Sequence, residues 1–273
     1  MRIGHINYLN CLPLTYTFSQ KVQHDFEIVR GVPAKLNSAV LDGDLNVSPV
    51  SSIVYAQNFE KLFILPGVSI MADGDVQSII LVSKKPIETL HGEKILLTAQ
   101  SATSHRLLKI IMNKSYHIQP DYEIKTLSPL NIFPDDKASA ALFIGDDALY
   151  LKHHQQEGFY YYDLGREWKK LTGLCMVYAV WVVSREFAQT HHEDTVKIQQ
   201  FITNGFKNGF ANISDAITKL TADKPFTHNQ LYEYMHVIQW KFNSEQIQAL
   251  SLFYQYAYEL HLIEKMPQIN IFA

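Results

Sequence analysis

The first half of the chain switches repeatedly between short apolar runs and stretches with helical spacing. That alternation restricts it to a mainly parallel sheet covered by helices. Ile3 to Leu9 reads as a strand, and Pro13 suits the first turn of a helix running towards Phe18. Phe26 to Val29 is a second strand. Pro33 then opens a helix with Leu36, Ala39 and Val40 on one face, and Gly43 ends it. Leu45 to Ser48 is a third short strand, and Pro49-Val50-Ser51-Ser52 leads into a helix over Ile53 to Asn58.

Val76 to Ser83 is a strong strand followed by the turn Lys84-Lys85-Pro86, after which a new unit begins. It holds a strand over Lys94 to Thr98, a loop over Ala99 to Ala102, and a helix with Leu107, Leu108, Ile111 and Met112 on one face. Tyr122 to Leu127 and Ala140 to Ile144 are further strands, with a helix after Gly145-Asp146-Asp147, and Gly173 to Val183 is a buried strand returning from this unit. Only helices follow, among them one over Ile198 to Phe206 and one over Ile247 to Leu260 capped by Asn243 or Ser244. The expected fold class is therefore α/β with two lobes, the second inserted into the first. Residues 1–84 and 181–273 form lobe 1 and residues 85–180 form lobe 2, with crossings near Ile80 to Pro86 and Tyr178 to Ser184. A ligand cleft is expected between the lobes, at strand carboxyl ends.

Composition excludes several function classes. With 273 residues, 47% hydrophobic and 19% charged, the chain has about two domains' worth of ordinary globular sequence. Twenty-four Lys and Arg against 27 Asp and Glu leave a net charge of −3, with no basic excess for nucleic acid or an anionic membrane. The longest apolar run, Gly173 to Val183, is about eleven residues where a bilayer span takes roughly twenty. The N-terminus lacks the basic start and apolar stretch of an export signal, so a soluble, cytoplasmic protein is expected. Cys11 and Cys175, far apart and outside any C-x-x-C, are expected as free thiols.

Familiar catalytic and cofactor motifs are missing. His153-His154 and His191-His192-Glu193-Asp194 lack the spacing that puts two zinc ligands on one helix face, and no metal is expected. No G-x-G-x-x-G, Walker-type loop or G-x-S-x-G is found, and Asp73-Gly74-Asp75 is a turn sequence. What remains are hydroxyl-rich loops ahead of helices, Pro49-Val50-Ser51-Ser52 in the first lobe and Ser101-Ala102-Thr103-Ser104 in the second. One such loop reads as a helix cap. Two facing loops suit a ligand with two separated anionic groups, because free backbone N–H groups and hydroxyls bind carboxylate or phosphate. Asn10 can be a turn residue, Asp146 a cap or a cleft carboxylate, and Arg106 a carboxylate clamp or a side chain lying along its helix. Ser78 stands inside a strand where packing favours Val, a sign that it faces something.

Six blocks then carry a resemblance: IGHINYLNCLPL (Ile3 to Leu14), LDGDLNVSPVSS (Leu41 to Ser52), LPGVSI (Leu65 to Ile70), LTAQSATSHRLL (Leu97 to Leu108), IGDDAL (Ile144 to Leu149) and WKKLTGLCMVYAVW (Trp168 to Trp181). In order and spacing they resemble the chorismate dehydratase family of the futalosine route to menaquinone, over about the first two thirds of the chain. The resemblance implies a type II periplasmic-binding-protein-like fold used as a cytoplasmic enzyme; a monomer or homodimer is expected. Its reaction would be loss of water from chorismate to give 3-[(1-carboxyvinyl)oxy]benzoate, with no cofactor. It implies Asn10 and Ser78 in the active site, with Ser51, Ser52, Ser101, Thr103 and Ser104 holding carboxylates. Asn10 and Ser78 are neutral, so the base is either the substrate's own enolpyruvyl carboxylate or Asp146.

Two departures mark this chain: Val54 stands where the family often carries Glu, and Cys175-Met176 where Pro and an aromatic are common. The sister family that makes 1,4-dihydroxy-6-naphthoate shares the fold but uses a histidine in the second lobe, where this chain has Gly145-Asp146. A solute-binding protein working with a transporter would share the fold too, and would carry an export signal.

Overall fold

The computed structural model of the chain describes residues 1–6, 8–20, 26–99 and 101–273. Asn7, inside the first expected strand, and Gln100, inside the expected loop before Ala102, lie outside the described residues. The strands form two five-stranded sheets, each mixed and each sandwiched by helices.

The first sheet runs in the order β2 (Glu27–Arg30), β1 (Arg2–His5), β3 (Val47–Ser51), β10 (Met176–Ser184), β4 (Leu62–Ala72). β1 is parallel to both β2 and β3, as the alternating sequence requires, while β10 is antiparallel to β3 and β4. The second runs β7 (Asp121–Lys125), β6 (Lys94–Thr98), β8 (Ala140–Ile144), β5 (Ile79–Ser83), β9 (Tyr160–Asp163), with β5 antiparallel to β8 and β9. First-sheet strands come from both sides of the second, so the second unit is inserted into the first.

Side-chain alternation sets where the cores lie. In β5, Ile79 and Leu81 join the main core while Ile80 and Val82 point to a smaller one. β6 and β8 keep the same phase: Ile95, Leu97 and Leu142 face the main core, and Leu96, Ala141 and Phe143 face the other. α4 (Ala102–Lys114) and α6 (Leu164–Thr172) cover the main-core face with Leu107, Leu108, Ile111 and Trp168, and α5 (Gly145–His153) covers the other with Ala148 and Leu151. Against the first sheet pack α2 (Pro33–Leu41), α3 (Ser52–Asn58), α7 (Arg185–Thr190), α8 (His192–Ala211) and α11 (Ser244–Glu259), while α1 (Leu12–Ser19) and α9 (Ile213–Leu220) pack on α8 and on each other, and α10 (His228–Val237) on α9. None of the described helices is long and apolar enough to cross a membrane, and both cysteines are free and buried.

Several elements depart from the sequence expectation. β1 stops at His5, and Leu9–Cys11 forms a 3-10 turn that feeds Pro13 into the first turn of α1. β3 begins at Val47 and runs through Pro49, tolerated because pairing with β1 is confined to Ile3 opposite Val47. β4, which runs through Pro66-Gly67, has no counterpart among the expected strands. Here the dipeptide is a bulge: β10 pairs with Ser69 and then with Ile64, and Gly67 takes φ +77°. β9 and α6 were also unforeseen, and Gly173, expected to open a strand, ends α6 in the left-handed conformation. The crossings do not lie at Ile80 to Pro86 and Tyr178 to Ser184. β5 and β10 are central strands paired on both sides, so the chain changes sheet in the turns at 73–78 and 173–175. The outer edge of β4 is covered by the C-terminal region, Met71 bridging Gln239 and Ile64 bridging Ile271.

α1 is fixed tightly on α8. Thr17 Oγ1 donates to Gly205 O at 2.7 Å, and Asn208 Nδ2 donates to Thr17 Oγ1 at 3.1 Å. A Cβ built on Gly209 would stand 1.8 Å from Pro13 O, so backbone meets backbone there. Gly209→Ala should therefore force the helices apart and cost about 1–3 kcal/mol, exceeding the gain in helix propensity. Thermal melting checks this, and an unchanged melting temperature would show that the contact can relax freely.

Candidate active site

Between the two sheets lies a cavity of about 250 Å³. From the first-sheet side Tyr8, Asn10, Asn37, Ser51 and Tyr178 reach it, and from the second Ser78, Ser101, Thr103, Ser104 and Gly145. Its apolar walls include Ile6, Ile70, Val76, Ile79, Ile144 and Ile238. The open α/β rule placed the ligand site at strand carboxyl ends, and β1, β3 and β6 end towards this cavity in the loops that carry Asn10, Ser51 and Ser101.

Ser78 owes its position to a carboxylate. Asp163, six per cent exposed, caps α6 by accepting from Gly165 N at 2.9 Å and Arg166 N at 3.2 Å. The same side chain accepts from Val76 N at 3.0 Å and Gln77 N at 2.7 Å. Those bonds hold Gln77 at φ +62°, a left-handed conformation that a residue with a Cβ adopts at a cost of about 1–2 kcal/mol. Burial pushes the Asp163 carboxyl up from the usual range, and the backbone donors pull it back. Gly165 is required beside it, because a Cβ there would lie 2.3 Å from Gly74 O. The result turns Ser78 inwards, with Oγ accepting from Tyr234 OH at 2.9 Å and donating to Val76 O at 3.3 Å.

Asn10 sits in the 3-10 turn. Its carbonyl accepts from Trp240 Nε1 at 2.9 Å, and its Oδ1 is buried with no partner among the described residues. Ser51 Oγ, Asn37 Oδ1 and Tyr178 OH are likewise buried without partners, and all four groups line this one cavity. Unpaired buried polar atoms are costly, so their convergence is the arrangement expected where a polar ligand supplies the missing bonds. Ser101 caps α4, its Oγ accepting from Ser104 N at 3.2 Å and donating to Ser104 Oγ at 2.8 Å. Thr103 Oγ1 accepts from Ile53 N at 3.1 Å, which joins the two hydroxyl loops and leaves the Thr103 proton to be donated.

Three expected site residues lie elsewhere. Ser52 Oγ donates to Val177 O at 2.6 Å and is fully buried between α3 and β10, where it stitches helix to sheet. Arg106 lies back along α4, its guanidinium 3.4 Å from Ala102 O, in a surface groove formed with residues 56–61 and 261–265. Asp146 pairs with Lys224 Nζ at 2.8 Å and accepts from Leu9 N at 3.5 Å, in a small cleft that shares Tyr8, Ile144 and Gly145 with the cavity. It is absent from the cavity wall, its carboxylate being engaged by Lys224 instead.

Sequence reasoning missed Tyr8, Asn37, Tyr178 and Tyr234. Asn37 had a legible signal, a polar residue adjacent to Leu36 and three before Val40 on the buried face of its helix. Tyr178, a phenol inside an apolar strand, had another. Among the described residues lining the cavity, Tyr8 and Tyr178 are the titratable ones. Burial raises both phenols, helped at Tyr8 by Asp146 and Asp147 and at Tyr178 by Asp163, so both stay neutral at physiological pH.

Comparison with known proteins gives this architecture its relatives. Solved structures with the same fold include a protein of Archaeoglobus fulgidus (TM-score 0.74, 19% identity, covering 96% of this chain and 98% of that one). The aliphatic sulphonate binding protein SsuA of Escherichia coli follows (TM-score 0.69, 14% identity, 98% and 90%). A Candida albicans protein described as having the generic periplasmic binding protein structural fold superposes with a TM-score of 0.66 at 10% identity, over 97% and 91%. At these identities the likeness is one of fold, and the fold is the two-lobed periplasmic-binding-protein type. In sequence, the chorismate dehydratase of Thermus thermophilus is 30% identical over 200 residues, 67% of this chain and 70% of that protein. A family profile described as menaquinone biosynthesis matches residues 1–259. By a match that takes in both sheets and every described helix, the chain belongs to the chorismate dehydratase family of menaquinone biosynthesis.

Proposed function

We propose that this protein is a cytoplasmic hydro-lyase that removes water from chorismate to give 3-[(1-carboxyvinyl)oxy]benzoate, using two lobes built on the two sheets. The observation that carries the reading is the cavity itself: uncharged, lined with hydroxyls and amides, and holding four buried polar atoms without partners. A substrate with two carboxylates suits the paired loops, one at Ser51 and one at Ser101, Thr103 and Ser104, where hydroxyls and backbone N–H groups serve as donors. Gly145 supports this reaction over that of the sister family, since it brings no side chain to the cavity where that family uses a histidine.

In the proposed chemistry the C3–H and C4–O bonds break, a C3–C4 double bond completes the aromatic ring, and the proton and hydroxide leave as one water. The wall offers no group that is a strong base at neutral pH among the described residues. The substrate's enolpyruvyl carboxylate is tethered near C3, and a tethered group acts at a very high effective concentration. Asn10 and Ser78 then orient that carboxylate and the departing hydroxyl, and Asp146, engaged by Lys224, takes no part.

Incubating the purified protein with chorismate tests the reading: an aromatic product one water lighter should accumulate, measured by absorbance and mass, and its absence would overturn the proposal. Asn10→Ala and Ser78→Ala should each lower kcat by about 10²-fold with the fold retained on a melting curve. Asp146→Asn should keep measurable turnover. If that variant loses kcat while chorismate still binds, the protein supplies the base. Thr103→Val should act mainly on KM, weakening binding by about 1–3 kcal/mol, and an unchanged KM would move the carboxylate site elsewhere.

A further inference from the structure

We propose that Tyr234 and Trp240 are positioning residues for this reaction, Tyr234 directing the Ser78 hydroxyl proton into the cavity and Trp240 fixing Asn10. The inference rests on the assignment of Asn10 and Ser78 to the chemistry. These two residues come from opposite sheets, yet one short C-terminal segment grips both. Tyr234, on α10 and almost fully buried, donates to Ser78 Oγ at 2.9 Å, and Trp240 Nε1 donates to Asn10 O at 2.9 Å. Between them Ile238 lines the cavity, and Gln239 exchanges two 2.9 Å backbone bonds with Met71, so the segment is fastened to β4. Trp240 is further held between Phe206 and Phe210, each ring centroid 5.4 Å away.

A serine hydroxyl has one proton and two acceptor sites. With Tyr234 donating to one of its two acceptor sites, Ser78 keeps its own proton for a ligand, which is what a departing hydroxyl needs. Its present acceptor, Val76 O, is 3.3 Å away, a long contact that a ligand oxygen can replace. Burial raises the Tyr234 phenol, so it stays a donor throughout the working pH range. The Trp240 bond acts on the Asn10 backbone, so the unpaired Oδ1 is aimed without being used up.

The test is a pair of double-mutant cycles on chorismate, Tyr234→Phe with Ser78→Ala and Trp240→Phe with Asn10→Ala, with kcat expressed per folded molecule. Each Phe variant should lose about tenfold in kcat with KM changed by less than about twofold. Each double variant should be no slower than its Ala parent, because the positioning residue acts only through its partner. Wild-type kcat in both Phe variants, or multiplied losses in the double variants, would overturn the proposal while leaving the dehydratase reading intact. A wild-type protein that does not convert chorismate would overturn that reading and this one with it. The two cycles use independent variants, so loss of fold in one leaves the other decisive.

Discussion

The Asp163 carboxylate is the group on which the site is built. It sits where the last strand of the second sheet meets α6 and satisfies the free N–H groups at the start of that helix. With its remaining capacity it takes the N–H groups of Val76 and Gln77, in the polar turn by which the chain first passes from one sheet to the other. A buried carboxylate is tolerated when several donors surround it, and here those donors belong to two segments almost ninety residues apart. The strain at Gln77 persists because the same carboxylate secures it from outside the turn. Helix, crossing and the cavity-lining Ser78 are thus parts of one hydrogen-bonded unit.

Much of this was legible in the sequence. The strand–helix alternation fixed the class, and Pro33 and Gly43 bracket α2 as their backbone preferences require. The hydroxyl loops at Ser51 and at Ser101 to Ser104 stand out because hydroxyls gathered just before helices have a physical use. Less legible was anything that depends on pairing between distant segments. Pro66-Gly67 has the local chemistry of a turn, and only β10 alongside makes it a bulge. Ser52 and Ser51 are alike in sequence, and which one faces the cavity depends on the register of β3 against β10. Asp146 looks like a cleft carboxylate until Lys224, far along the chain, claims it. Tyr234 and Trp240 carry no local sign of their roles, since their partners lie 156 and 230 residues away.

An uncharged cavity has a particular merit for an anionic substrate that must lose a proton. A lysine or arginine in the wall would bind the carboxylates more strongly, but would also lower the basicity of the carboxylate to which the proposed mechanism gives the proton. Hydroxyls and amides orient a carboxylate at smaller cost to its basicity. The neutral tyrosines fit the same pattern, adding donors without adding charge.

The position of β10 also shapes how the chain reaches its fold. It is the strand that joins β3 to β4, yet it follows β4 by about a hundred residues, with the whole second sheet in between. During synthesis β3 and β4 therefore emerge with open edges and wait for a partner that is still to be made, while the second sheet has all its strands once β9 is complete. Such long-range closure is slow, because the intervening loop must be ordered before the pairing is gained. The inserted half can fold as a unit first, while the first sheet gains its last strand only when residue 184 is in place, and its cover of C-terminal helices only after that.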